Sequence, residues 1–165
     1  MAERVTAIYP GSFDPVTNGH LDIIERGTTI FDRVIVAVLL NQDKEPIFSI
    51  EERLEMLKKA TCRWDSVEVD TFQGLLVSYA VARKARVILR GIRAVTDYEF
   101  EFQMALMNRR IQPDIETIFM MPAEAYSYLS SSLVKEVVTL GGGVSGLVPS
   151  VVESYLEKKI GPKSF

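Results

Sequence analysis

The chain has 165 residues, a formal charge of −3, 47% hydrophobic residues and 25% charged residues, which is enough length to bury a core and an ordinary globular composition. Disordered, collagenous and disulfide-scaffolded classes are excluded, and the scattered basic residues lack the footprint of a protein that tracks nucleic acid. A single domain over residues 1–165 is expected.

Cys62 is the sole cysteine, so an internal disulfide and a cysteine-rich zinc site are ruled out and a reducing cytosol is favoured. It is expected as a small buried filler. The first residues, Met-Ala-Glu-Arg, run straight into a strand-like segment with no secretory pattern, so no export is implied. The longest apolar stretches, 34–40 and 118–122, fall well short of the roughly 20 residues that span a bilayer. A cytoplasmic location without membrane partners is expected.

Strands are predicted over residues 5–9, 34–40, 67–71, 87–90 and 117–121, each nearly continuous in apolar residues as expected where both faces of a parallel sheet are covered. Between them, residues 19–31 carry Leu21, Ile24 and Phe31 at helical spacing, and residues 50–60 repeat Ile50, Leu54 and Leu57. Ser49 and Glu52 form a Ser-x-x-Glu capping box that marks the second start. Further helices are predicted over 75–84, 97–111, 131–139 and 149–159, with Gly141-Gly142-Gly143 ending one and Pro149 beginning another. Residues 98–111 carry Phe100, Met104, Met107 and Ile111 on one face and Phe102, Ala105 and Leu106 elsewhere, a pattern for burial on two sides: a central helix or a subunit interface. Strand and helix alternating with right-handed crossovers gives an α/β, Rossmann-like, doubly wound domain with a five-stranded parallel sheet. Its ligand belongs beyond the carboxyl ends of the strands.

The loop after the first strand, Tyr9-Pro10-Gly11-Ser12-Phe13-Asp14-Pro15-Val16-Thr17-Asn18-Gly19-His20, is the most informative segment. Prolines stiffen it, glycines permit close approach, and its polar cluster sits at a helix start that attracts phosphate. Neither G-x-G-x-x-G nor G-x-x-x-x-G-K-[ST] occurs, so hydride carriers and P-loop hydrolases lose support. His20, the only histidine, falls in the first helical turn, where it can donate to a bound phosphate, and Ser12 can hold a second. Asp14 and Thr17 are ordinary turn formers and read as scaffold.

Phosphoryl chemistry needs cations converging on developing negative charge. Lys44 follows the second strand, and Arg90 and Arg93 flank the end of the fourth. Arg90 ends a buried-looking run and needs a carboxylate or phosphate partner. After the fifth strand, the serines of Tyr126-Ser127-Tyr128-Leu129-Ser130-Ser131-Ser132 exceed what one cap requires and offer a second phosphate cradle.

Thr17-Asn18-Gly19-His20 resembles the T/H-x-G-H signature of the nucleotidyltransferase superfamily, with Gly11-Ser12-Phe13-Asp14-Pro15 as its companion. The run Arg90-Gly91-Ile92-Arg93-Ala94-Val95-Thr96-Asp97-Tyr98-Glu99, the run Met107-Asn108-Arg109 and Ser130-Ser131-Ser132-Leu133-Val134-Lys135-Glu136 extend the likeness. Together they make the chain, from about residue 5 to residue 156, resemble the bacterial phosphopantetheine adenylyltransferases. Thr17 replaces the first histidine of H-x-G-H, Ser12 stands where many members have threonine, and Lys135 stands where many relatives have arginine, which leaves its reach to phosphate open.

The resemblance implies in-line adenylyl transfer from ATP to 4′-phosphopantetheine without a covalent intermediate, Mg2+ accompanying ATP with no protein metal site, and a homohexamer. It implies catalytic roles for His20, Lys44 and Arg93. ATP is expected at Ser12, Phe13, His20, Gly91, Ile92, Arg93, Glu101, Tyr126, Ser127, Tyr128, Leu129, Ser130, Ser131 and Ser132. The acceptor is expected at Ser12, Lys44, Leu76 and Arg90. The alternatives are a related nucleotidyltransferase with another phosphorylated acceptor and a non-catalytic nucleotide-binding module.

Overall fold

The computed structural model describes residues 4–40 and 45–161, with the backbone alone at Val95 and Thr96. Five strands, β1 (Thr6–Gly11), β2 (Arg33–Leu39), β3 (Val67–Phe72), β4 (Val87–Gly91) and β5 (Glu116–Met120), form one parallel sheet in the order β3-β2-β1-β4-β5. Successive side chains on a strand point to opposite faces. Ala7, Tyr9, Val34, Val36, Val38 and Leu89 therefore enter one core, while Ile8, Ile35, Ala37 and Ile88 enter the other. Burial on both faces explains why β1, β2 and β4 read as unbroken apolar runs.

The two outer strands depart from that expectation. β3 reads Val-Glu-Val-Asp-Thr-Phe and is mostly half-buried, and β5 is half-exposed with Glu116 and Ile118 open to water. Each has a neighbour on one side only, and the Arg33–Glu68–Arg83–Asp70 ion pairs lie along β3. Charged side chains along an edge are a common guard against further strand pairing.

The helices are α1 (Asn18–Ile30), α2 (Ile50–Thr61), α3 (Leu76–Ala82), α4 (Val95–Ile111), α5 (Ser131–Thr139) and α6 (Ser150–Ile160). α1 buries Ile23, Ile24 and Gly27 against the sheet. A Cβ at Gly27 would stand 3.3 Å from both Leu89 and Val34, so a glycine there lets the helix lie close. The capping box of α2 is formed: Ser49 accepts from the Glu52 amide at 3.2 Å and Glu52 accepts from the Ser49 amide at 2.8 Å. α5 ends in a Schellman closure, with Gly141 at φ 86°, its amide on the Val138 carbonyl at 2.9 Å and the Gly142 amide on the Val137 carbonyl at 2.8 Å. Pro149 is the cap before α6 rather than its first residue.

The expectation for Cys62 fails, and of the two readings of the fourth helix, central helix or subunit interface, the first is removed. Cys62 is exposed, because it follows the last residue of α2 as that helix leaves the core. α4 is not a central helix: among its described side chains only Asn108 is buried, while Phe100 is 63% and Met107 55% exposed. Among the described residues, no helix is long and apolar enough to cross a membrane.

The strand order positions the site. The chain winds outward from β1 to β2 and β3, then returns to lay β4 on the opposite side of β1. Crossovers on either side of this switch diverge, leaving a crevice at the carboxyl ends of β1 and β4.

Candidate active site

A cavity of about 420 Å³ occupies that crevice, walled by the β1–α1 loop, the end of β4, the first half of α4 and the start of α5. Its floor is built by the end of β1 and the β1–α1 loop. A Cβ at Gly11 would stand 3.1 Å from the Phe13 ring and press on it. That ring is buried edge-on between Tyr9 (centroids 5.4 Å apart) and His20 (5.0 Å). Asp14 is 3% exposed and faces away from the cavity, accepting from the amides of Ile47 and Phe48 at 3.0 and 2.9 Å and from Lys135 Nζ at 3.2 Å. The scaffold reading of Asp14 thus matches its contacts, and the reach of Lys135 is to Asp14 rather than into the cavity.

Thr17 caps α1, and His20, three residues on, completes a capping box. Thr17 Oγ1 accepts from the His20 amide at 3.4 Å, and His20 Nδ1 accepts from the Thr17 amide at 2.9 Å. An imidazole whose Nδ1 accepts a backbone N–H carries its ring proton on Nε2. The surrounding protein, helped by the nearby positive charges of Arg93 and Arg90, pushes the His20 pKa from 6.5 down to about 4. At neutral pH, His20 therefore presents an Nε2–H donor and no free lone pair. In that state it can donate to an oxyanion and cannot take a proton from a nucleophile. His20 thus both caps α1 and lines the cavity.

The cations are held in fixed directions. Arg90 donates from Nε to Glu101 Oε2 at 2.8 Å, from Nη2 to Glu101 Oε1, and from Nη1 to the Pro10 carbonyl at 3.0 Å. Its carboxylate partner is thus Glu101 on α4, and the planar fork fixes the guanidinium plane. Arg93 donates to the Leu129 carbonyl at 2.7 Å and lies 3.6 Å from Asp97. At the start of α5, Ser130 accepts from the Leu133 amide at 3.0 Å and Ser131 donates to the Pro15 carbonyl at 2.8 Å. Ser132's hydroxyl has no protein partner among the described residues, and the first-turn amides lack intrahelical acceptors.

The crevice brings together Ser12, Phe13, His20, Arg90, Gly91, Arg93, Glu101, Tyr126, Leu129, Ser130, Ser131 and Ser132. Ile92, Ser127 and Tyr128 stand outside its wall: Ile92 continues the pairing of β4 with β5, Ser127 donates to the Glu124 carbonyl at 2.9 Å, and Tyr128 is exposed. Leu76 opens α3 and packs on the second core. Lys44 lies outside the described residues.

Sequence reasoning missed Tyr9, Ile23, Asp97 and Pro122 in the wall, and also Asp22, which accepts from the Ala123 amide at 2.8 Å and so ties α1 to the approach to α5. The i,i+4 spacing of Arg93 and Asp97 was a usable signal; nothing in sequence paired Arg90 with Glu101. Magnesium, implied as the companion of ATP, finds no cage in these residues. Among the described residues no group of three or more His, Cys, Asp or Glu could hold a metal, and the wall carboxylates Asp97 and Glu101 each face an arginine.

A helix start presenting a neutral N–H donor, two oriented guanidinium groups and a serine-rich second helix start at a switch point define a phosphate-handling α/β protein of the nucleotidyltransferase class. The cytidylyltransferase-like family profile matches residues 8–137. A solved structure of a provisionally named nicotinate-nucleotide adenylyltransferase from Vibrio parahaemolyticus superposes with a TM-score of 0.69 over 98% of each chain, and at 17% identity it speaks for the fold alone. The chain is 58% identical to the phosphopantetheine adenylyltransferase of Desulfosudis oleivorans over 94% of this chain and 92% of that one. It is 57% identical to the same-named protein of Clostridium botulinum, over 93% and 96%. The chain belongs to the phosphopantetheine adenylyltransferase family.

Proposed function

We propose that the chain transfers the adenylyl group of ATP to 4′-phosphopantetheine, giving dephospho-coenzyme A and pyrophosphate. The observation that carries this reading is the His20 imidazole, neutral and with Nε2–H as its only free polar group, at the start of α1. An α-phosphate over that helix start receives this hydrogen bond together with the helix dipole. A phosphate oxygen of phosphopantetheine then bonds to the α-phosphorus as the bond to the bridging oxygen of pyrophosphate breaks. Negative charge grows on the non-bridging and leaving oxygens, where fixed donors lower the barrier most.

His20 stabilises the α-phosphate. Arg93 and the start of α5 receive the departing pyrophosphate. Ser12, Lys44 and Arg90 align the acceptor, with Leu76 beside its pantetheine arm. Gly91, Ile92, Glu101 and residues 126–132 surround the nucleotide. The chemistry that magnesium would supply, entering with ATP, is neutralisation of part of the triphosphate charge. No nucleic acid or membrane partner enters this reading, and the lone cysteine fits a cytoplasmic place. The apolar side chains that α4 leaves exposed support a homo-oligomer, a hexamer by family resemblance, in which a second copy covers them.

The test is pyrophosphate release from ATP and magnesium with 4′-phosphopantetheine, nicotinamide mononucleotide or glycerol 3-phosphate. Release with the first alone is expected. Release only with another acceptor keeps the reaction and overturns the acceptor. Silence with all three leaves a nucleotide-binding module.

A further inference from the structure

The Asp14 carboxylate joins three segments of the chain. It belongs to the β1–α1 loop, its amide donors Ile47 and Phe48 lead into α2, and its third donor, Lys135 Nζ, comes from the second turn of α5. A parallel strap runs from the Ser131 hydroxyl to the Pro15 carbonyl at 2.8 Å. From the other side Arg53 of α2, 5% exposed, donates to the Ser12 carbonyl at 2.9 Å. The two phosphate-facing walls of the cavity, Ser12–Phe13 and the start of α5, are thus joined by contacts between residues 116 and 121 positions apart.

Lys135 does not line the cavity. Its ammonium is the only charged partner, among the described residues, of a carboxylate that is itself 3% exposed. Removing that partner leaves a buried charge with two amide bonds and no counter-charge, a costly state that the loop relieves by shifting Asp14 toward water. Ser12 and Phe13 precede Asp14 directly and shift with it.

We propose that Lys135 is a positioning residue for the transfer reaction: acting through Asp14, it sets the distance between the Ser12–Phe13 wall and the phosphate cradle at the start of α5. The inference rests on the adenylyl-transfer reading. It differs from a phosphate-contacting role in what its loss does: substrate still binds, in a misaligned site, so turnover suffers more than affinity.

The test uses full-length Lys135→Met, which keeps the stem without the charge, Lys135→Arg, Asp14→Asn and the double variant with Met and Asn. Pyrophosphate release gives kcat and KM, and amide hydrogen exchange follows residues 11–17. Lys135→Met is expected to lower kcat about tenfold while KM for ATP stays within about threefold, since an ångström of misplacement costs up to about a hundredfold. Lys135→Arg restores kcat to within about threefold of wild type, and the double variant loses no more than the worse single one.

A tenfold rise in the KM for ATP at unchanged kcat, or losses that multiply in the double variant, overturns the proposal. So does a Lys135→Met chain that fails to fold, because the ion pair then holds the fold rather than the site. If Asp14→Asn does not fold, the Met and Arg variants decide. If wild type releases no pyrophosphate, the adenylyl reading fails by itself and exchange decides the positioning claim. Exchange across 11–17 made about tenfold faster by Met and returned to wild-type rates by Arg sustains it; unchanged rates remove it.

Discussion

α1 and α4 make an instructive pair. Each follows a strand at the switch point, β1 or β4, and each lends its first turns to the same cavity. α1 buries Ile23, Ile24 and Gly27 in the chain's own core, and its start is fixed by a reciprocal cap. α4 buries only Asn108 among its described side chains and starts without a side-chain cap, yet its Glu101 fixes Arg90. The half of the site around His20, where the α-phosphate is proposed to sit, is therefore held by the chain's own core and cap. The half that orients Arg90 rests on a helix whose apolar side chains lie open to water.

The largest effect that sharpens this contrast comes from His20→Ala: a fall in kcat of about 10²- to 10³-fold, the usual loss of one oxyanion donor, measured as pyrophosphate release. The matching change on α4, Glu101→Gln, frees Arg90 from its fork. It is expected to lower kcat/KM for phosphopantetheine about tenfold, since a hydrogen bond to a charged group contributes roughly 1.5–3 kcal/mol. An equal loss in both variants would erase the distinction between the two halves.

Met107→Glu tests the open face directly. It leaves the fold intact by circular dichroism and reduces the mass seen by light scattering at micromolar concentration. A wild-type chain that is already monomeric would break the comparison on the α4 side.

Of these two helices, α1 carries the group that acidification reaches, His20. The folded chain refuses the His20 proton until pH falls to about 4, whereas the unfolded chain takes it up near 6.5. The stability contributed by neutral His20 is thus fully present above pH 6.5 and is lost as pH drops toward 4. His20→Asn flattens that part of a Tm-against-pH curve. The smallest effect is Ser49→Ala, which removes a cap whose hydroxyl does not line the cavity at a cost of about 1 kcal/mol, or roughly 2–4 °C in Tm, with kcat unchanged.

Much of the fold was legible because β1, β2 and β4 are buried on both faces and leave an unambiguous apolar record, and because Ser49 with Glu52 marks a helix start in sequence alone. β3 misled for a physical reason. Its Val67-Glu68-Val69-Asp70 alternation signals one open face, but the flanking apolar residues resemble those of a covered strand. Cys62 misled because a terminal helix position carries no periodicity to say which way it points. α4 was legible only as an ambiguity: apolar residues on several faces look the same whether they are buried by the chain or left for something else.

Within the site, His20, Arg90, Arg93 and the serines stood out by type and place. What they do there depends on partners the sequence does not pair. The Thr17 amide that fixes the His20 tautomer is visible once the cap is known. Glu101, eleven residues beyond Arg90, and Lys135, 121 beyond Asp14, become partners only through the crossovers of the sheet.

The most direct test of the neutral Nε2–H donor is a nitrogen-15 NMR titration of the imidazole in untagged protein, where a single histidine makes the signal unambiguous. The account predicts a proton on Nε2, a bare Nδ1, no titration between pH 8 and about 5.5, and a change at Nε2 when ATP is added. A midpoint near 6.5, or a proton on Nδ1, would contradict it.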